Sequence, residues 1–203
     1  MTDTGRFRVL PAPADGEPPR LLDRETDEPV VLAAEGHDAP VGDLRPGYLV
    51  DATLDWATSE PTVEALSVVR PTLYAFADAV EPMFEAARET WDAALAEGEA
   101  MNVQTLRNTD GEVIGVVYVF AESGDRGRFE EFRDGTRPLE PLVDRYNDQE
   151  GPAPREVYVL RDVGGEFTAV AVARNKGGLF TDTMRDTYGC ERPFEPLDPG
   201  TVE

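Results

Sequence analysis

The chain has 203 residues, of which 41 are acidic and 19 are basic, and its net charge is -22. One cysteine, Cys190, excludes an intrachain disulfide, and a single histidine, His37, disfavours histidine-based catalysis. Hydrophobic residues make up 40% of the chain, which argues against disorder. No apolar run approaches the roughly 20 residues of a membrane span, and the acidic N-terminus lacks the apolar core of a signal peptide. We therefore expect a soluble, cytoplasmic protein without a membrane partner.

Residues 1–71 carry the pattern of short β-strands separated by turns. In "LRPGYLVDATLDWA", Val50, Ala52 and Leu54 alternate with polar residues, which is the period of a half-buried strand. Five such strands and this phrase are similar to those of small barrels, including the OB-fold. We predict a β-barrel-like, OB-like unit over residues 1–71.

The segment that follows is predicted to change from strand to helix. "LYAFADAV" is predicted to be a short helix or a kinked lead-in. From Pro82 to about Glu97, Phe84, Ala87 and Trp91 recur at spacings of three and four residues, which predicts an amphipathic helix. Gly98 is predicted to end it.

Two later segments match each other at a constant offset of 54 residues. They are "VQTLRNTDGEVIGVVYVF" (103–120) and "VYVLRDVGGEFTAVAVAR" (157–174). Each predicts a β-hairpin with a glycine in its turn, followed by a helix. The shared Leu-Arg-x-x-x-Gly-Glu favours an internal repeat, with units of about 103–134 and 157–186. The alternative is convergence, because any two hairpins need a glycine turn and β-branched strands.

The second strand of each hairpin is a nearly continuous apolar run, which is typical of strands that are covered on both faces. We therefore predict a four-stranded antiparallel sheet with these two strands at its centre and residues 103–109 and 155–161 outside. Helices are predicted on one face, at 82–97, within 126–148 and at 179–188. The fold class is α+β, with a second domain at residues 72–203.

The only lysine, Lys176, lies in the predicted turn from the last strand to the last helix. A glycine-rich turn with free backbone N–H groups can bind an anion, and a nearby cation would help. If the repeat is real, the corresponding turn of the first unit contributes further cations. The candidate anion site therefore comprises Arg126, Arg128, Arg174, Lys176, Gly177 and Gly178. The alternative is that Lys176 is an exposed turn residue and that the arginines pair with neighbouring acidic residues.

A second candidate site follows only from the barrel analogy. Single-strand binding combines a basic groove with exposed aromatic rings. In the first unit Arg20, Arg24 and Tyr48 are the candidates. No motif indicates a metal site, a cofactor or a catalytic residue, since His37 lies in a loop without enough ligands and Cys190 lacks an adjacent base.

The excess of acidic residues with a single lysine resembles the composition of haloarchaeal proteins, which work in molar salt. The chain resembles small acidic haloarchaeal proteins of an uncharacterised family, and this resemblance implies no particular activity. The leading expectation is a non-enzymatic binding or interaction protein that takes a protein partner or an acidic ligand. One alternative is a nucleic-acid-binding accessory protein that acts through the barrel. Another is an enzyme of unrecognised type that uses the Lys176 turn.

Overall fold

A computed structural model describes residues 1–123, 127–197 and 199. Within these residues the chain forms ten β-strands and four α-helices. In chain order they are β1 (Thr2–Leu10), β2 (Arg20–Asp23), β3 (Pro29–Val30), β4 (Leu49–Asp55), β5 (Thr62–Arg70), β6 (Leu73–Val80), α1 (Glu85–Glu97), β7 (Met101–Arg107), β8 (Val113–Ala121), α2 (Arg128–Asp134), α3 (Glu140–Glu150), β9 (Glu156–Asp162), β10 (Phe167–Ala173) and α4 (Leu179–Tyr188). The structure is therefore mixed α+β, as predicted.

The chain forms two compact units. The first contains Met1–Leu73, the segment Arg133–Pro138 and the tail from Pro193. The second contains Tyr74–Phe132 and Leu139–Arg192. The domain boundary after residue 71 stays a prediction.

The first unit contains a sheet of five strands in the order β3-β2-β1-β4-β5. Val50, Ala52 and Leu54 of β4 are buried, so the predicted alternation of this strand is confirmed. The predicted barrel does not close, because β3 and β5 are the ends of the sheet and do not pair with each other. β3 has only two residues, and its first is Pro29, which has no N–H to donate to a further strand.

The second unit contains another five-stranded sheet, in the order β6-β9-β10-β8-β7. The prediction of four strands was wrong, because "LYAFADAV" is the strand β6 and not a helical lead-in. β10 lies at the centre and pairs with β8 and β9, while β7 is an edge, as expected. The strand at 155–161 is not an edge, since β6 lies beside it.

Helices cover both faces of this second sheet, which corrects the prediction of helices on one face. α1 and α4 contribute Trp91 and Met184 to the core on one side. α2 and α3 contribute Phe132 and Val143 to the core on the other. Every residue of β10 is buried as a result, which explains the unbroken apolar run of its sequence.

The two hairpins have closely similar turns. In β7–β8 the side chain of Asn108 accepts hydrogen bonds from the N–H groups of Asp110 (3.0 Å) and Glu112 (2.9 Å). In β9–β10 Asp162, which lies 54 residues further on, accepts from Gly164 and from Glu166, both at 2.8 Å. This likeness is consistent with an internal repeat, although the duplication itself remains a prediction.

Candidate ligand-binding cleft

A cleft of about 710 Å³ lies in the second unit, between the β7–β8 turn and the start of α4. This volume is within the range of roughly 300–1,000 Å³ that small-molecule sites occupy. Its apolar lining comes from three places in the chain, namely Val113 and Ile114 of β8, Ala173 of β10, and Leu179 and Phe180 of α4. Leu179 is 86% exposed, so the cleft presents apolar surface to solvent at its rim.

Arg107 lines one side of the cleft, at the end of β7. Its Nη1 donates to the carbonyl oxygen of Gly111 at 2.8 Å, which ties the guanidinium to the hairpin turn. The turn is itself held by the bonds to Asn108, and Gly111 has a φ of 81°, which favours glycine. No described carboxylate forms an ion pair with Arg107. The hydrogen-bond partner of this exposed guanidinium is therefore a neutral carbonyl group.

Arg174 lines the opposite side, directly after β10. Its backbone N–H donates to the carbonyl oxygen of Ile114 at 2.8 Å, which fixes the position of the chain. Its guanidinium forms a 3.1 Å ion pair with Glu150, and the side chains remain 44% and 26% exposed. The cleft thus has an arginine on either side of an apolar floor, and its lining also includes one carboxylate, Glu112, which accepts from Nδ2 of Asn108 at 2.9 Å.

The glycine turn between β10 and α4 also lines the cleft, through Gly177 and Gly178. Their φ values of 81° and 105° lie in the region that side chains disfavour. The Gly177 N–H, however, donates to Oε1 of Glu156 at 3.3 Å. One N–H group that could bind an external anion therefore already binds an internal carboxylate. Lys176 is half-buried, has interactions of its own within the chain, and is not part of the lining.

Glu156 is fully buried and holds the turn from behind. Its Oε2 accepts from the Tyr158 hydroxyl at 2.6 Å and from Nε of Arg185 at 3.2 Å, and its Oε1 accepts from Nη1 of Arg192. Burial alone would raise the pKa of Glu156, but the hydrogen bonds from Tyr158 and Arg192 and the positive charges of both arginines hold that pKa below its ordinary value. The carboxylate stays ionised and fastens the Gly177 turn to the core.

Sequence reasoning missed Arg107 and Glu156. Glu156 carried no usable signal, because it is one of 41 acidic residues. For Arg107 a signal existed in the repeat: it matches Arg161, so a comparison of the two hairpins would have drawn attention to both arginines.

Among the described residues of the first strand-to-helix turn, none lines the cleft, although the sequence match had suggested a shared site. Arg128 pairs with Glu131 at 2.9 Å, which is the alternative expected from helix spacing. The N–H groups of Arg128 and Phe129 donate to Glu122 at 2.6 and 3.1 Å, so an internal carboxylate caps α2. Arg126 lies outside the described residues. The cleft therefore contains Arg174, Gly177 and Gly178 from the predicted set, without Arg128.

The residues of the second candidate site do not form a basic groove with an exposed ring. Tyr48 is fully buried, and its hydroxyl donates to Glu195 at 2.8 Å. Burial, followed by the hydrogen bond to Glu195, raises the pKa of Tyr48. Arg24 lies 3.6 Å from Asp27, and Arg20 is half-buried at the start of β2. A base could not stack on Tyr48 in this conformation.

The remaining reactive side chains have structural partners. Nδ1 of His37 accepts from the N–H of Val63 at 3.1 Å, so Nε2 donates to the carbonyl oxygen of Ala33 at 2.8 Å. Cys190 is half-buried, and burial raises the pKa of its thiol, which disfavours the reactive thiolate. In the part of the chain that the structure describes, no group of three or more potential ligands could hold a metal ion.

The fold and the cleft define an α+β protein with one amphipathic cleft built from a hairpin turn and a helix N-terminus. A family model matches residues 1–193, and the chain belongs to that family, the family of unknown function DUF6663. No curated protein and no solved structure matches the chain. None of the helices among the described residues is long and apolar enough to cross a membrane.

Proposed function

We propose that this protein is a non-enzymatic binding protein whose cleft holds an amphipathic anion, with a carboxylate or phosphate head on an apolar body. One observation carries the proposal: Arg107, which forms no ion pair with a described carboxylate, and Arg174 line the same cleft as the apolar side chains, and Glu112 is the one carboxylate among the described lining residues. The arginines would bind the head, and Ile114, Leu179 and Phe180 would contact the body. A guanidinium is well suited to this role because its planar donors match carboxylate and phosphate oxygens.

The geometry favours binding over the two alternatives. An enzyme that uses the Lys176 turn would need a reactive group at that turn, whereas Glu156, the carboxylate that the Gly177 N–H contacts, is buried and accepts from Tyr158, Arg185 and Arg192. A nucleic-acid-binding protein would need an exposed aromatic ring, whereas Tyr48 is buried. Arg20 and Arg24 alone support nucleic-acid binding weakly, because molar salt weakens phosphate contacts.

We further propose that the protein works in a molar-salt cytoplasm. A net charge of -22 destabilises a compact chain by self-repulsion, and the single lysine fits a halophilic composition. At molar salt the Debye length is about 3 Å, which screens this repulsion. The internal duplication of the hairpin–helix units belongs to the same proposal and is supported by their matching turns.

The test uses decanoate as a probe, because it combines a carboxylate with an apolar chain. Binding to the purified full chain in molar KCl is measured by titration calorimetry, with decanol as the neutral comparison. We expect saturable binding of decanoate and weaker binding of decanol. Arg107→Gln is expected to weaken decanoate binding by about 10- to 100-fold, since a hydrogen bond to a charged group contributes about 1.5–3 kcal/mol.

Arg88→Gln is the matched control, because it removes the same charge from an exposed position on α1. It should leave decanoate affinity unchanged. Absence of saturable binding by the wild-type chain, or equal affinity of the Arg107 and Arg88 variants, would refute the proposal.

A further inference from the structure

The β7–β8 hairpin contributes two opposite charges to the lining of the cleft. Arg107 is the last residue of β7, and Glu112 directly precedes β8. The backbone N–H of Asn108 donates to the carbonyl oxygen of Glu112 at 3.0 Å, so the two strands meet beside these residues. Both charged side chains are exposed. The hairpin therefore presents a cation at the end of one strand and an anion at the start of the next.

These two charges do not pair with each other. Nη1 of Arg107 donates to the carbonyl oxygen of Gly111 at 2.8 Å. Oε2 of Glu112 accepts from Nδ2 of Asn108 at 2.9 Å. Opposite charges on facing strands attract each other, but here each is bonded to a neutral group of the turn. Among the residues that the structure describes, neither side chain forms an ion pair, so both charges can pair with a ligand in the cleft.

The charge balance of the cleft favours a ligand with two charges over a ligand with one. Arg174, the other charged residue of the described lining, pairs with Glu150 at 3.1 Å. A ligand with only a carboxylate would compensate Arg107 and leave Glu112 without a counter-ion. If the apolar body of that ligand covered Glu112, it would remove an unpaired carboxylate from water, which costs free energy. A ligand that also carries a cation would pair with both residues.

The net charge of the whole chain acts in the same direction. A protein with a net charge of -22 repels anions over long distances, whereas a zwitterion has no net charge and is not repelled. In molar salt the Debye length is about 3 Å, so the long-range repulsion is screened and direct contacts dominate. Under both conditions, the zwitterion has the advantage of a second ion pair.

We propose that the ligand of this cleft is an α-amino acid with a large apolar side chain. Its carboxylate pairs with Arg107 and its ammonium group pairs with Glu112, while its side chain contacts Ile114 and Phe180. The inference rests on the proposed function, because it keeps the carboxylate head and the apolar body and adds an ammonium group beside the head. A primary ammonium group suits Glu112 because it donates hydrogen bonds to a carboxylate, which a quaternary ammonium cannot do.

The test compares 2-aminodecanoate with decanoate, which has the same chain length and lacks the ammonium group. Both are titrated into the full chain in molar KCl by calorimetry. We expect 2-aminodecanoate to bind about three- to fivefold more tightly, which is the effect of one exposed ion pair. Glu112→Gln should remove this preference without weakening decanoate binding. Glu97→Gln, the same replacement at an exposed position of α1, should retain the preference.

The preference is the ratio of two affinities in the same variant, so a fraction of unfolded protein does not alter it. If decanoate binds and 2-aminodecanoate binds equally or more weakly, the inference is overturned and the proposed function stands. If neither compound binds, both fail. A preference that persists in Glu112→Gln would also overturn the inference, because the ammonium group would then not pair with Glu112.

Discussion

Arg107 and Arg161 occupy corresponding positions in two hairpins with similar turns, but their guanidinium groups have different partners. Arg161 donates to both carboxylate oxygens of Asp78, lies 3.9 Å from Glu130, and stacks 4.9 Å from the ring centroid of Phe129. The hydrogen bond from Arg161 to Asp78, offset in part by burial, raises the pKa of this guanidinium. The guanidinium of Arg107, in contrast, donates to the carbonyl oxygen of Gly111 and lines the cleft. The arginine of one hairpin is thus paired within the fold, whereas the arginine of the other lines the cleft.

The same contrast separates the first strands of the two hairpins. β9 is covered by β6 and begins with the buried Glu156, whereas β7 is an exposed edge with Asn102 at the corresponding position. Burial on both edges and both faces makes β9 a structural strand. β7 in contrast has an exposed edge, and Arg107 at its end lines the cleft.

The largest effect that tests this contrast is expected for the replacement Glu156→Gln. We expect it to lower the free energy of unfolding by about 3–5 kcal/mol, because it leaves the buried charge of Arg185 without its carboxylate. Asn102→Ala, at the corresponding position of β7, should change it by no more than about 0.5 kcal/mol. Urea denaturation in molar KCl measures both. A cost for Glu156→Gln as small as that for Asn102→Ala would contradict a structural role for β9.

The next test compares the two arginines directly. Arg161→Gln is expected to lower the free energy of unfolding by about 1–2 kcal/mol, since it removes a bidentate pair and a cation–π contact. Arg107→Gln is expected to stay within about 0.5 kcal/mol of the wild type while weakening decanoate binding. If Arg107→Gln destabilised the protein as much as Arg161→Gln, the division between structural and binding arginines would be wrong.

The pH dependence of the free energy of unfolding tests whether the ionised carboxylate of Glu156 stabilises the fold. Its folded-state pKa is held below the ordinary value of 4.5, so the stabilisation is present above that value and is lost as the pH falls through the folded-state pKa. The difference in unfolding free energy between the wild type and Glu156→Gln should therefore shrink on acidification, by at most about 1.4 kcal/mol per pH unit. Denaturation at several pH values below 4.5 measures this difference. A difference that stays constant would show that Glu156 does not titrate with a lowered pKa.

The smallest effects are expected at the hairpin turns. Asn108→Ala should cost about 0.5–1.5 kcal/mol, because it removes the two bonds accepted from the N–H groups of Asp110 and Glu112 and the bond donated to the exposed Glu112 carboxylate. Asp162→Ala should cost more, since the Asp162 carboxylate accepts from the N–H groups of Gly164, Glu166 and Phe167. Thermal denaturation gives the order of the two variants. The reverse order would indicate that the β7–β8 turn is the better-fixed one.

Much of the fold was predictable from local patterns. The alternation of β4, the two hairpins, the helix that ends at Gly98 and the helix at 179–188 all follow from periodicity and turn residues within a short segment. β6 was mispredicted because "LYAFADAV" has no clear period, and it becomes a strand through its place beside β9. Within the candidate site, Arg174, Gly177 and Gly178 were predictable from the glycine turn. Arg107 had a signal in its match with Arg161 that was not used, whereas Glu156 had none.

The sequence by itself determined the anionic composition, most of the strand and helix segments, and the apolar strands that require cover on both faces. These properties depend on residue type and on spacings of a few positions. Only the tertiary structure decided which arginine is neutralised, since Asp78 and Arg161 are 83 residues apart. It also decided which strands remain at the edges of the sheets. The hydrogen bond that the Gly177 N–H donates to Glu156 is likewise set by the tertiary structure. Such outcomes depend on distances between remote segments, and one anionic side chain in a sequence with 41 of them does not specify its partner.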